Sequence, residues 1–201
     1  MHPAKVFFEK RTGRLAAIFQ ECGLALIIGV DGARTLVAHS PVIFEGGSLR
    51  FHPSAANPLG KALATGSRAL AVATGPDVYI SPDWYQLSDQ VPTWNYLSAE
   101  AEGPVRVLDR GEAVVLLDDL AGRFEAALAP KPPWRRDKKS AEKFEAMLGG
   151  VIAFELRIER LEGIAKLSQN KPPETRKNVI QALRALGGAN SLSIASRMAP
   201  D

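Results

Sequence analysis

Asn95-Tyr-Leu-Ser-Ala-Glu-Ala-Glu-Gly-Pro-Val-Arg-Val107 alternates along its length: Leu97, Ala99, Ala101, Val105 and Val107 fall on one face, and Ser98, Glu100, Glu102 and Arg106 on the other. A period of two is the signature of a strand with one dry and one wet face. Toward the C-terminus the pattern returns, with Ile152, Phe154, Leu156 and Ile158 alternating with Glu155, Arg157 and Glu159. Toward the N-terminus, Leu24-Ala-Leu-Ile-Ile-Gly-Val30 and the run Thr35 to Phe44 flank Asp31-Gly32, which reads as a hairpin because a tight turn needs positive φ. A second turn at Gly46-Gly47 leads into Ser48–His52, and Ser67–Thr74 and Asp77–Ile80 read as two strands parted by a turn at Gly75-Pro76. Strands of a parallel α/β sheet would be almost continuously apolar. Six or seven half-wet strands joined by short turns predict instead a mainly antiparallel β fold with flanking helices (α+β), an antiparallel barrel.

Helical spacing appears in four places. Leu15, Ile18, Phe19 and Cys22 form one short apolar stripe stopped by Gly23, and Asn57-Pro58 caps and opens a helix to about Ala64. Glu112–Leu128 carries Val115, Leu116, Leu120, Phe124 and Leu128 and ends at Pro130, Pro132 and Pro133; Glu174–Leu186 is stopped by Gly187-Gly188. The expected layout is a single domain over 1–201: an N-terminal helical segment 1–23, a barrel with inserted helices 24–165, a loop and C-terminal helix 166–188, and a flexible tail 189–201.

Composition closes off several functions. One cysteine, Cys22, makes no intrachain disulfide and points to a reducing cytoplasm. No apolar run reaches the roughly 20 residues that span a bilayer, so no membrane partner is expected, and the charged start from Met1 to Arg14 does not read as a signal peptide. Three histidines (His2, His39, His52) and one cysteine argue against a bound metal. There is no GxGxxG, no phosphate-cradling glycine loop and no Gly-x-Ser-x-Gly elbow, and no catalytic constellation stands out.

Two features remain. The net charge of +3 lies wholly in residues 101–201, concentrated at Lys131–Lys143 and from Lys166 onward, where phosphate or nucleic acid could be met. Of the six Trp and Tyr residues, five (Tyr79, Trp84, Tyr85, Trp94, Tyr96) stand between 79 and 96, next to Ser81, Thr93 and Asn95. Rings beside fixed donors suit a planar heteroaromatic ligand; the same rings could fill a barrel end or a subunit interface. His39 and His52 are expected as cross-strand neighbours about the Gly46-Gly47 turn. Lys166, Ser168, Gln169 and Asn170 form a loop able to hold an anion or to cap the next helix.

Four motifs in order, His52 with Ala56-Asn-Pro58, Gly75-Pro-Asp-Val-Tyr-Ile-Ser-Pro-Asp-Trp-Tyr85, Val91-Pro-Thr-Trp-Asn-Tyr96 and Lys166-Leu-Ser-Gln-Asn170, resemble the PaiB-type family of FMN-binding negative transcriptional regulators. The resemblance implies a split β-barrel of the FMN-binding type, a homodimer with flavin pockets between subunits, and FMN as cofactor. It implies FMN contacts from His39, His52, Asn57, Ser81, Trp84, Tyr85, Thr93, Trp94, Asn95, Lys166, Ser168, Gln169 and Asn170. Two alternatives stand beside it. One is a flavin-dependent oxidoreductase of the split-barrel class. The other is a cofactor-free DNA-binding repressor using Arg135, Arg136, Lys138, Lys139, Arg176, Lys177 and Arg184.

Overall fold

Residues 4–199 are described by the structure, a computed structural model. Met1–Pro3, and with them His2, lie outside the described residues, as do Pro200 and Asp201 at the end of the expected tail. Eight strands form: β1 (Phe8–Glu9), β2 (Leu24–Asp31), β3 (Arg34–Glu45), β4 (Ser48–Phe51), β5 (Arg68–Ile80), β6 (Thr93–Val107), β7 (Phe154–Arg157) and β8 (Arg160–Lys166). Among the described residues six α-helices accompany them: α1 (Thr12–Cys22), α2 (Pro58–Leu63), α3 (Arg110–Ala126), α4 (Ala141–Leu148), α5 (Pro173–Leu186) and α6 (Ala189–Met198). The hydrogen-bonded strand order is β1-β8-β6-β5-β2-β3-β4-β7, with β6 also paired to β7. By internal contacts the chain falls into two compact units, one made of the residues up to Ile18, Thr74–Ala99 and Glu162 onward, the other of Phe19–Ala73 and Glu100–Leu161.

The second unit is a closed antiparallel barrel. Starting from β5, the order β2-β3-β4-β7-β6 returns to β5 because Val105 and Val107 of β6 pair with Leu156 and Phe154 of β7. The first hairpin closes as Asp31↔Arg34 around Gly32-Ala33, one residue later than Asp31-Gly32, with Gly32 at φ +57. At Gly46-Gly47 both glycines take positive φ, as a two-residue turn matched to strand twist requires. Inside, Phe51 stacks on Phe154 with centroids 5.5 Å apart, above Leu49, Leu156 and Ile27. Outside, Ile43 turns the other way and packs with Leu108, Ala113, Leu116 and Leu120 of the α3 region. Helix α3 begins with a full capping box between Asp109 and Glu112. Its dry face is therefore set by 113, 116 and 120, and Val115, Phe124 and Leu128 are exposed.

In the first unit β1 pairs with β8 in the register Phe8↔Ile164, Glu9↔Gly163. Helices α5 and α6 pack together, burying Val179, Ile180, Leu183, Ile194, Ala195 and Met198. The loose tail expected beyond 188 is thus a helix as far as Met198. Its apolar residues, four apart at Ile194 and Met198, are interleaved with serines that mask the stripe, and burying two such side chains is worth about 1.5–3 kcal/mol each.

Two other expectations are corrected. No turn stands at Gly75-Pro76: β5 runs straight through, and a side chain at Gly75 would press on Leu97 Cβ (3.2 Å) and its carbonyl (3.3 Å), so glycine there admits a neighbouring strand. Strand β8 lies outside the expected set, and its Gly163 admits close neighbours. A Cβ at that position would lie 2.3 Å from Leu15 Cδ2 and 2.5 Å from the Ser98 carbonyl.

Candidate functional site

Alternation along β6 sorts the aromatic stretch. Thr93 and Asn95 share one face, Trp94 and Tyr96 the other. On the Thr93 face, the end of β8 brings in Lys166, and the loop after it turns at Ser168, whose φ of 55 aims Asn170 and Lys171 back toward β6. A single-turn helix at Pro82–Tyr85, capped by Ser81 Oγ on the Asp83 N–H, delivers Tyr85, which is only 2% exposed. Together with Phe7, Asp89, Gln90 and Val91 these residues line a cleft of about 390 Å³ in the first unit. Small-molecule pockets occupy about 300–1,000 Å³.

Two cations dominate it. The Lys166 ammonium donates to Thr93 Oγ1 and sits 5.6 Å from the Phe7 ring centroid. The Lys171 ammonium donates to Gln90 Oε1 and lies 4.8 Å from the Tyr85 ring centroid. Among the described residues neither pairs with a carboxylate, although Asp89 lines the same cleft. Burial holds the Lys166 amine below the ordinary lysine pKa, since a desolvated ammonium is disfavoured. Asn95 is buried behind them, its amide donating to Ser168 Oγ at 3.0 Å and to Met198 Sδ at 3.4 Å.

Of the candidate residues, Tyr85, Thr93, Asn95, Lys166, Ser168 and Asn170 line this one cleft. Gln169 belongs to the same loop but spends its amide on backbone: Oε1 accepts from the Leu167 N–H, and Nε2 donates to the carbonyls of Ala165 and Val6. Ser81 serves as a cap. Trp84 is half-buried and does not line the cleft. Trp94, 53% exposed, faces away from Asn95 and packs edge-on against Tyr79, itself 45% exposed, at 6.1 Å.

His39, His52 and Asn57 belong to the second unit. Asn57 caps α2, its Oδ1 accepting from the Leu59 N–H at 2.8 Å. The two histidines are not cross-strand neighbours. His39 lies opposite Leu26 of β2, while the β3–β4 ladder runs from Glu45↔Ser48 to Val42↔Phe51, a register that would bring Pro41, not His39, opposite His52. The His52 backbone N–H instead donates to Ser40 Oγ, and burial lowers the pKa of its imidazole.

Sequence reasoning missed Phe7, Gln90 and Lys171. Lys171 stands one residue past the quoted loop motif and could have been included by that adjacency. Phe7 is brought in by the β1–β8 pairing, which nothing local announces.

Among the basic residues assigned to DNA, Arg176 donates to the Met198 carbonyl, Lys177 pairs with Glu174, Arg136 pairs with Asp118, and Lys138 reaches the Pro133 carbonyl. No helix of the described residues is long and apolar enough to cross a membrane.

Residues 1–160 match the family described as "Putative FMN-binding domain". The "Protease synthase and sporulation protein PAI 2" of Bacillus subtilis (strain 168) is 25% identical over 202 residues, covering 98% of this chain and 96% of its own length. An uncharacterized protein of Aspergillus fumigatus is 27% identical, covering 89% of this chain and 81% of its own. Among solved structures, a FAD and heme binding protein of Mycobacterium smegmatis superposes with a TM-score of 0.61 at 20% identity, over 90% of this chain and 80% of that one. The flavocytochrome Anf3 of Azotobacter vinelandii gives 0.63 at 14% identity, over 88% and 78%. Likeness at that level is a likeness of fold, the split β-barrel. The match over residues 1–160 makes this chain a member of the FMN-binding domain family, and the Bacillus relative is similar to it along nearly its full length.

Proposed function

We propose that the chain holds FMN in the cleft of the first unit, with the phosphate on Lys166 and Lys171, and acts as a homodimeric PaiB-type negative transcriptional regulator. The observation that carries this reading is the pair of ammonium groups in one cleft, each without a carboxylate partner, beside the hydroxyl of Thr93 and the amide of Asn170. That donor set fits a phosphate, which takes charge-assisted hydrogen bonds from every side. Tyr85 and Phe7 offer apolar surface to the rest of the ligand. Bound FMN supplies a redox-active ring system, and the chain's residues position it and set its electrostatics. Ser168 and Asn95 keep the loop in shape, while Gln169 ties it to Val6.

Dimerisation is supported by an apolar outer face on the barrel. In the second unit Leu26 and Ile28 of β2 stand beside Val72 and Leu70 of β5, and Val37 of β3 lies opposite Ile28, all directed away from the barrel interior. Leu24, Val30 and Val37 are exposed, and in the first unit so is the Tyr79–Trp94 pair. Apolar and aromatic surface of this kind is typical of a subunit interface. Sporulation, named in the description of the Bacillus relative, is in keeping with a regulatory role. For DNA contact the solvent-directed cation is Arg184 of α5. The lone Cys22 suits the cytoplasm, where we place the protein.

Titration of the purified full chain with FMN tests the reading. Quenching of flavin fluorescence that saturates at one FMN per chain, with a dimer mass by light scattering, is the expected result. Free FMN fluorescence unchanged by excess protein overturns it. A low-salt gel shift against promoter DNA tests the regulatory half separately.

A further inference from the structure

In the second unit, α3 and the segment 129–145 border an open cleft of about 830 Å³, about twice the volume of the flavin cleft. Helix α3 contributes Ala121, Gly122 and Ala126, and the facing segment contributes the half-buried rings of Trp134 and Phe144. The facing segment is tied in place. Glu125 accepts from the Trp134 backbone N–H at 2.7 Å and from the Lys131 ammonium, so one carboxylate holds both ends of the run Lys131-Pro-Pro-Trp134. Arg136 reaches Asp118 at 3.3 Å and lies 5.1 Å from the Phe144 ring centroid, linking α3 to α4. A merely solvated basic loop would need neither link.

Pairing also decides the charge inside. Lys131, Arg136 and Glu145 are each matched, the last by Arg110. Among the described residues, Arg135, Lys139 and Asp137 line the cleft with no side-chain partner, leaving one positive charge in excess. An excess of one suits a single carboxylate and not a polyphosphate or a nucleic-acid backbone, which would meet mostly neutralised cations. Two rings across an apolar floor suit a planar body.

We propose that this open cleft is a second ligand site, separate from the flavin cleft, for a small aromatic carboxylate: the ring lies between Trp134 and Phe144, and the carboxylate meets Arg135 and Lys139. Charge-assisted contacts of this kind recognise the anion, and the apolar surface excludes fully hydrated ions.

Calorimetric titration of the full chain with 1-naphthoate tests the site, with neutral 1-naphthylmethanol as the comparison. The expected result is saturable binding of naphthoate, about tenfold or more tighter than the alcohol, and a loss of about tenfold in the Arg135→Ala/Lys139→Ala double variant. Gly122→Leu is the blocking variant. A Cβ there meets no atom within 4 Å, so the new side chain grows into open space and should abolish naphthoate binding without lowering the melting temperature. Saturating FMN should leave the naphthoate isotherm unchanged. No heat with naphthoate, equal affinity for the alcohol, wild-type binding by Gly122→Leu, or competition by FMN would each overturn the proposal.

Discussion

Asn95 and Ser168 hold one another by a reciprocal hydrogen bond: the Asn95 amide donates to Ser168 Oγ at 3.0 Å, and the hydroxyl returns to Asn95 Oδ1 at 3.3 Å, with both residues buried. The pair joins β6 to the loop that follows Lys166 and carries Lys171, and the Asn95 amide continues to Met198 at the end of α6. Removing one partner leaves the other buried and unsatisfied, which costs about 1–3 kcal/mol. Ser168→Ala should therefore lower the unfolding free energy by that amount in a urea titration and also weaken FMN binding. A variant as stable as the parent would show that the bond is not formed.

Lys166 tests the cleft more directly. Lys166→Met keeps the length of the stem but deletes the charge, and losing a hydrogen bond to a charged group, worth about 1.5–3 kcal/mol, should weaken FMN by about tenfold to a hundredfold. Riboflavin, which lacks the phosphate, should bind parent and variant alike. If FMN and riboflavin lose affinity equally, Lys166 is not a phosphate ligand.

Because burial lowers the Lys166 pKa, the amine gives up its proton at a pH below the ordinary lysine value of 10.5. A phosphate favours the ammonium, so binding takes up a proton wherever the free amine is neutral. FMN affinity should fall as pH rises through the alkaline range below 10.5, at pH values where the phosphate is already a dianion. Lys166→Arg should lose affinity less steeply there, because guanidinium stays charged and only the Lys171 amine is left to titrate. Identical profiles in both proteins would sever the link between the Lys166 amine and the ligand.

How much of this could be read in the sequence depended on the range of the interaction. The alternation in 95–107 and the glycine-paired turns at 32 and 46–47 are local, and they announced β6, the hairpins and the barrel. Even the helix caps at Asn57 and the stop at Gly187-Gly188 were visible. Glycines that serve a neighbour were not. Gly75 looks like a turn because its purpose, the close approach of Leu97, lies elsewhere in the chain, as does that of Gly163, the close approach of Leu15 and Ser98. The site divides in the same way. The loop 166–170 and Thr93 were legible as motifs, whereas the sorting of Asn95 from Trp94 came from strand parity, and Phe7 arrived through a two-residue strand.

Close approach makes its own prediction. A Cβ at Gly103 would lie 1.8 Å from the Arg157 carbonyl oxygen, a backbone atom that cannot swing away. Gly103→Ala should therefore cost more than about 3 kcal/mol, at the severe end for single substitutions, or prevent folding. Gly13 in α1 has no atom within 4 Å of its would-be Cβ, and Gly13→Ala should gain up to about 1 kcal/mol of helix propensity. Thermal melts of the two variants should move in opposite directions, and a parent-like melt for Gly103→Ala would contradict the β6 geometry.

The barrel's pH response should have two separate limbs. Burial lowers the His52 pKa from 6.5, so below that value the unfolded chain binds a proton that the folded chain resists. His52 thus subtracts stability progressively as pH drops through the window just under 6.5, and subtracts nothing above it. Carboxylates act lower down. Glu112, held at about 2 by Arg106 and the Asp109 N–H, and Glu102, Glu125 and Glu159, each lowered by an Arg or Lys hydrogen bond, add stability above 4.5 that fades as pH falls toward their folded values. Glu159 is exposed and the other three are half-buried at the surface, so salt should shrink the lower limb. His52→Gln should remove the upper limb and leave the lower one intact. Urea midpoints measured from pH 8 to pH 3 would show this, and an unchanged upper limb in the variant would assign it to another group.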